Sequence, residues 1–115
     1  MKIKLLFLIL ITLQIDSAIY AQEGVTDNQI ANAIFKAENS VEYPYGIKSI
    51  NTHGDKEYAR KICLNTIRNN RVRFMKQSQY KDFIEFLGSK YCPPSAHSLN
   101  KNWVKNIKYF LKRGD

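Results

Sequence analysis

IANAIFKAENSVEYPYGIKSI, residues 30–50, reads as a helix with an abrupt end. Apolar residues recur at helical spacing in its first part, which predicts an amphipathic α-helix. Thr26, with Gln29 three residues later, has the pattern of a capping box and marks the start of this helix. The segment YPYG, residues 43–46, cannot continue a helix, because proline lacks the backbone N–H donor and its ring collides with the preceding turn. We therefore predict a first helix that starts at Thr26 and ends near Asn39.

Three further helices are predicted beyond this stretch. The second follows a cap at Thr52 or Asp55, the third covers residues 78–87 and stops at Gly88, and the fourth begins near Asn100. Residues 68–78, RNNRVRFMKQS, have few apolar side chains and are predicted to form a basic, mobile bend. Since every apolar stripe has the helical period, the predicted fold class is all-α. The inward-facing residues of the second, third and fourth helices are Ala59, Ile62, Cys63, Thr66, Ile67, Tyr80, Phe83, Ile84, Leu87, Trp103, Val104, Ile107, Phe110 and Leu111.

The N-terminal residues have the layout of a secretory signal peptide. Lys2 and Lys4 precede an apolar run over residues 5–13, and a region of small and polar residues then leads to Ala21. The run is shorter than the roughly 20 residues of a transmembrane helix, although an uncleaved anchor is the alternative interpretation. We predict a signal peptide over residues 1–21 and one small domain over 22–115, exported to the periplasm or secreted, with no membrane span after cleavage.

Charge and cysteines restrict the partners and the compartment. The chain of 115 residues carries a formal net charge of +8, so an exported form would meet anionic polymers, among which charge alone does not choose. Cys63 and Cys92 can pair in an exported protein, and such a bridge would stabilise the fold by roughly 3–4 kcal/mol in the chain-entropy model. We predict this disulfide, with two free buried thiols as the alternative.

Glu38 is an unexpected residue for its position. Residues four apart lie above one another on a helix, so Ile30, Ile34 and Glu38 form one line toward the C-terminal end. Apolar neighbours remove water from the carboxylate, and the negative end of the helix dipole repels it, so both effects favour the protonated form. A carboxylic acid that keeps its proton is suited to general acid catalysis. The alternative is a surface glutamate that extends off the last turn.

The segments KAENS and YPYGI resemble the active-site region of the lysozyme-like soluble lytic transglycosylases (SLT domain), in which a helix ends in a catalytic glutamate. FLGSKYCPP…NKNWVKNI, residues 86–107, is similar to the tail of small exported members of this family. The resemblance implies a small lysozyme-like helical domain that cleaves the MurNAc–GlcNAc bond of peptidoglycan, with Glu38 as the single acid and base. It implies a 1,6-anhydro product and substrate contacts from Ser40, Tyr45 and Tyr91. The family's Gly-Leu-Met-Gln loop is absent, since residues 46–49 are GIKS.

Other residues are weaker candidates for a second catalytic carboxylate or for metal ligands. Asp55 and Glu57 open the second helix, where acidic residues are favoured by the helix dipole alone, and a clear second catalytic carboxylate is therefore lacking. His53 and His97 have no metal-ligand pattern with the cysteines, so we predict no metal and no cofactor.

The predicted partners are the glycan strands of peptidoglycan, bound by a monomer that does not bind nucleic acid. The rival prediction is a non-catalytic basic protein that binds cell-wall polymer or nucleic acid through its arginine and lysine side chains. In either case we expect the arginines at 68, 71 and 73 to raise the affinity for anionic wall polymer. The choice between endo and exo cleavage, and between a transglycosylase and a hydrolase product, stays open.

Overall fold

The computed structural model describes residues 24–92 and 98–114. No β-strand occurs among these residues, which confirms the predicted all-α class. No helix in the two described ranges is long and apolar enough to cross a lipid bilayer. The predicted signal peptide and His97 lie outside the described residues. The elements are α1 (Asp27–Glu38), a short turn (Pro44–Gly46), α2 (Lys56–Met75), α3 (Phe83–Tyr91) and α4 (Ser98–Arg113).

Helix α1 begins and ends where local signals predicted. Thr26 Oγ1 accepts a hydrogen bond from the Gln29 backbone N–H (3.1 Å), and the Thr26 N–H donates to Gln29 Oε1 (2.8 Å), which confirms the capping box. At the other end Asn39 has a left-handed conformation (φ 44°), and its N–H donates to the Phe35 carbonyl. The chain therefore leaves the helix axis directly after Glu38.

Helix α2 extends to Met75, so the predicted bend over residues 68–78 is wrong for its first eight positions. Two polar residues of this segment, Asn70 and Arg71, are bonded within the fold rather than exposed in a loop. Asn70 is buried, and its amide donates to the Thr66 carbonyl (2.9 Å). Arg71 forms an ion pair with Asp27 of α1. These contacts satisfy polar groups on the inner face and allow the helix to continue.

Helix α3 begins after Asp82, whose Oδ1 accepts hydrogen bonds from the Ile84 and Glu85 backbone N–H groups (2.8 and 3.2 Å). The helix then passes through Gly88, so the predicted stop at this glycine is wrong. A Cβ atom at Gly88 would lie 2.8 Å from Val104 Cγ2 of α4. The glycine therefore allows close approach of two helices and does not end one.

The core forms where the four helices meet. Helix α1 packs against α2, α4 and the turn, and α3 packs against α2 and α4. The C-terminal end of α1 consequently lies beside the turn and α4, and Glu38 is the side chain at that junction. The most deeply buried large side chains are Ile30, Ile34, Tyr45, Ile67, Leu87 and Ile107.

Candidate active site

Glu38 is the last residue of α1, and it continues the apolar line of the helix as predicted. Ile34, one turn earlier, and Ile30, two turns earlier, are both 0% exposed. The Glu38 side chain is half-buried, so the line ends in a carboxyl group at the edge of the core. This position combines partial removal of water with the negative end of the helix dipole.

Gly46 closes one side of the carboxyl group. A Cβ atom at this position would lie 2.5 Å from Glu38 Cδ, 2.7 Å from Oε2 and 2.9 Å from Oε1. Gly46 also has a left-handed backbone (φ 70°), as does Tyr45 before it (φ 62°). Glycine meets both requirements, because it has no side chain and adopts positive φ without strain. The turn is thus shaped to hold the Glu38 carboxyl against backbone.

Trp103 of α4 closes another side. Its indole N–H donates a hydrogen bond to Glu38 Oε1 (3.1 Å), while its ring is buried. The predicted core position of Trp103 is confirmed, but the contact with Glu38 was not predicted. The available signal was chemical: a buried indole N–H requires an acceptor, and tryptophan on an apolar stripe therefore points to a polar partner nearby.

Tyr91 of α3 packs against Trp103, and Tyr91 is itself hydrogen-bonded to Cys63 of α2. The Tyr91 ring stacks on the Trp103 ring, with centroids 5.1 Å apart and planes 20° apart. Its hydroxyl donates to Cys63 Sγ (3.4 Å). Burial is the main cause that raises the pKa of the Cys63 thiol to about 11, and burial likewise raises the pKa of Tyr91 far above its usual range. Both groups are therefore neutral wherever a carboxyl group titrates.

The predicted disulfide is absent from the structure. Cys63 and Cys92 are both free thiols, and Cys63 is fully buried in the core. The hydroxyl of Tyr91 is the group that lies against the Cys63 sulfur.

Tyr45 does not line a cleft, and the predicted substrate contact is wrong for this residue. Its side chain is 1% exposed and its ring packs against Phe35 with centroids 5.1 Å apart. Its hydroxyl accepts a hydrogen bond from Arg60 Nη1 (2.9 Å), and the same guanidinium group donates to the side-chain oxygens of Asn28 and Asn32. Tyr45 therefore anchors the turn that carries Gly46.

Tyr91 and Ser40 have local partners as well. Tyr91 uses its hydroxyl and one ring face inside the protein, so the predicted role of this side chain in the substrate groove is not supported by its contacts. Ser40 Oγ accepts a hydrogen bond from the Tyr43 backbone N–H (2.9 Å), and no described bond joins it to Glu38. Ser40 lines a separate surface hollow of about 560 Å³ with residues that include Phe35 and Val41. The structure thus brings together Glu38, Gly46 and Trp103, and leaves Ser40 apart.

The three aspartates at positions 27, 55 and 82 have structural partners. Asp55 caps α2 by accepting a hydrogen bond from the Tyr58 N–H (3.1 Å), as its place in the sequence predicted. Asp27 pairs with Arg71, and Asp82 with Lys108. Within residues 24–92 and 98–114, no three His, Cys, Asp or Glu side chains are grouped so as to hold a metal ion.

No family model, no curated protein and no solved structure matches the chain. The contacts around Glu38 are therefore the basis for a proposal of function.

Proposed function

We propose that this protein is a peptidoglycan lytic transglycosylase that cleaves the MurNAc–GlcNAc bond with Glu38 as its single acid and base. The observation that carries the proposal is the Glu38 carboxyl group, which ends a buried apolar line and is held between Gly46 and the Trp103 indole N–H. Its predicted export would bring the protein to the cell wall, where it would act as a monomer without a cofactor.

The reaction requires one carboxyl group in two states. The protonated Glu38 gives its proton to the glycosidic oxygen, and the bond between this oxygen and the anomeric carbon breaks. The resulting carboxylate then takes the proton of the sugar's own 6-hydroxyl while that oxygen attacks the anomeric carbon. The product is a 1,6-anhydro end, and the glutamic acid is regenerated.

Three aspartates that could serve as a second catalytic carboxylate are engaged elsewhere, which supports this route over hydrolysis. A retaining glycosidase needs a second carboxyl group about 5 Å from the acid, and an inverting enzyme needs one within about 10 Å. Asp27, Asp55 and Asp82 are engaged in ion pairs or helix caps of their own. Attack by the sugar's hydroxyl requires none of them.

A second candidate function is a non-catalytic protein that binds cell-wall polymer or nucleic acid. The observation that favours it is a set of exposed basic side chains, together with the net charge of +8. Such a protein has no use for Glu38, and it would bind slightly better without this negative group. The exposed basic residues on α2 and α4 include Lys61, Arg68, Arg73, Lys101, Lys105 and Lys112.

Glu38→Gln separates the two functions. Glutamine has nearly the shape of glutamic acid and its carbonyl oxygen can still accept the Trp103 hydrogen bond, so the fold should be retained. It cannot transfer a proton, and the rate of glycan release should fall by about 10²–10⁴-fold. The measurement is lysis of purified peptidoglycan with mass analysis of the products, in which 1,6-anhydro ends are expected.

Glu42→Gln is the matched control, because Glu42 is an exposed glutamate only four residues away. It should keep the wild-type rate. A folded Glu38→Gln protein that lyses peptidoglycan at the wild-type rate would exclude the catalytic role and leave the binding protein. Ordinary reducing ends in the wild-type products would show that the enzyme is a hydrolase.

A further inference from the structure

We propose that Trp103 gives the two oxygens of Glu38 different roles: Oε1 is a fixed acceptor, and Oε2 carries and transfers the proton. The inference deepens the proposed function and rests on Glu38 being the acid and base. It makes Trp103 a positioning residue, since the indole acts on the reaction only through Glu38.

The first step concerns Oε1. The indole N–H of Trp103 is a donor with no acceptor capacity, so the oxygen it meets must present a lone pair. The contact is 3.1 Å long. A proton on Oε1 would compete with the indole hydrogen for the same side of the oxygen. When Glu38 is protonated, Oε1 is therefore the carbonyl oxygen, and the indole hydrogen bond persists in both states of the acid.

The second step concerns Oε2. In the described part of the chain, no donor forms a hydrogen bond with this oxygen, and the Trp103 contact is made to Oε1 alone. Among the described residues, no buried side-chain nitrogen or oxygen lacks a partner. An oxygen without a partner is consequently one that reaches solvent, and it is Oε2 that can meet a substrate oxygen. Because Gly46 has no side chain, its backbone lies against the carboxyl group without displacing Oε2, from which a Cβ atom would be 2.7 Å away.

The third step concerns the orientation of the indole. The Tyr91 ring stacks on Trp103, and the Tyr91 hydroxyl is fixed by Cys63 of α2. Gly88 lies under the same ring, where a Cβ atom would be 3.2 Å from Trp103 Cε3. Groups from α2 and α3 thus hold the ring whose N–H meets Glu38. The indole N–H is therefore preorganised, and little free energy is needed to reorient it when the charge on Glu38 changes.

The titratable neighbours of Glu38 keep one charge state at any pH at which a carboxyl group titrates. Cys63 and Arg60 of α2 and Tyr91 of α3 are the groups that interact electrostatically with one another or with Glu38. Burial keeps Cys63 and Tyr91 neutral at any pH at which a carboxyl group titrates, and arginine keeps its charge throughout. On α4, Trp103 itself does not titrate.

Trp103 is the only tryptophan of the chain, so its indole N–H gives one identifiable signal in a proton–nitrogen correlation spectrum. We expect this signal to shift with pH in a single step. Glu38→Gln should remove the step and place the signal near the acidic wild-type position, because the glutamine carbonyl mimics the protonated acid. Glu38→Ala supplies the position of an indole without this acceptor, and Glu42→Gln should titrate like the wild type.

The result that would overturn the assignment is an indole signal that moves to the Glu38→Ala position on acidification. Such a shift would mean that the proton enters on Oε1 and breaks the bond. An indole signal without any pH dependence linked to Glu38 would also overturn it. These readouts do not require activity, so a protein that fails to lyse peptidoglycan disproves the proposed function without deciding this test.

Trp103→Phe provides the matching kinetic test in an active enzyme. Phenylalanine keeps a ring against Tyr91 but lacks the donor. Because the indole N–H bonds the carboxylate more strongly than the neutral acid, its loss favours the protonated form, and the alkaline limb of the kcat profile should move up by about one pH unit. We expect kcat to fall by about tenfold with KM nearly unchanged, the change expected for loss of a group that acts on the transition state. An unshifted pH profile in the folded variant would contradict the role of Trp103.

Discussion

Gly46 is the residue whose replacement most directly tests the geometry around the carboxyl group. Its Cα hydrogen occupies the place where any other residue would put a Cβ atom within 2.5 Å of Glu38 Cδ. Its backbone also has positive φ. A substitution at Gly46 should therefore have two separate unfavourable effects, backbone strain and a steric clash with the Glu38 carboxyl group.

We predict that Gly46→Ala lowers both stability and activity. The left-handed backbone should cost about 1–2 kcal/mol of the free energy of unfolding for an L-residue. The added methyl group must also displace the Glu38 carboxyl and with it the Trp103 hydrogen bond. Because small displacements of catalytic groups lower the rate strongly, glycan release should fall by at least about tenfold. This loss comes in addition to any loss of activity caused by backbone strain alone. Thermal unfolding and lysis of peptidoglycan measure the two effects.

Gly54→Ala is the matched control for the strain that a side chain causes at positive φ. Gly54 has φ 71°, nearly that of Gly46, but its Cβ atom would meet only the Val41 carbonyl oxygen at 3.8 Å. The variant should lose similar stability and keep its activity. Equal activity losses in the two variants would show that backbone strain, and not contact with Glu38, is responsible.

The residue scale also shows what sequence could and could not predict. The position of Glu38 follows from helical periodicity within α1, which is local information, and it was predicted. The burial of Tyr45 depends on Arg60, which is distant in the sequence and reaches it only after α1 and α2 have packed. The predicted role of Tyr45 failed for that reason, because the YPYG segment gives no local sign of an arginine partner.

At the scale of elements, the contact between α3 and α4 determines where Trp103 lies. Gly88 faces α4, with Val104 Cγ2 2.8 Å and Trp103 Cε3 3.2 Å from the site of a Cβ atom. A residue with a side chain would separate the helices at the level of the indole. The glycine thus connects helix packing to the site at the end of α1.

We predict that Gly88→Ala destabilises the protein despite a better helix propensity. Alanine in place of glycine should stabilise the helix by about 1 kcal/mol. Overpacking a core contact costs about 1–3 kcal/mol, and we expect this cost to exceed the gain. The Trp103 fluorescence should change as its ring moves. In a Val104→Ala background the nearest contact is removed, and Gly88→Ala should then be neutral or stabilising. If Gly88→Ala destabilises equally in both backgrounds, contact with Val104 is not the cause.

The start of α1 was predictable because it depends on adjacent residues, but the predicted start of the third helix at residue 78 is wrong, since α3 begins after Asp82. The capping box at Thr26 was predicted in full, and the structure has it. The continuation of α2 to Met75 was missed, because it depends on Arg71 reaching Asp27 of α1 and on Phe74 packing against Phe83 of α3. Gly88 was taken for a helix end since the partner that explains it, Val104, belongs to another helix.

On the scale of the whole molecule, the positive charge divides into internal and surface parts. Arg60 donates to Tyr45 and two asparagines, and Arg71 bonds Asp27 and the Val25 carbonyl. Arg68 and Arg73, in contrast, are exposed. Of the three arginines predicted to bind wall polymer, Arg71 is therefore a structural residue that joins α2 to the start of α1.

We predict that the double variant Arg68→Gln, Arg73→Gln binds anionic wall polymer more weakly while its melting temperature is unchanged. Exposed charges attract a polymer at long range, and salt screens this attraction over about 8 Å at physiological ionic strength. The variant should consequently bind with a weaker dependence on salt.

Arg71→Gln should show the reverse, a lower melting temperature and a smaller effect on binding, because it leaves the half-buried Asp27 carboxylate without its ion pair. Polymer binding measured across a salt series, together with thermal unfolding of each variant, compares the two. Unchanged binding and salt dependence in the double variant would show that these exposed arginines do not contact the polymer. A melting temperature unchanged in Arg71→Gln would show that the ion pair between α1 and α2 does not stabilise the fold.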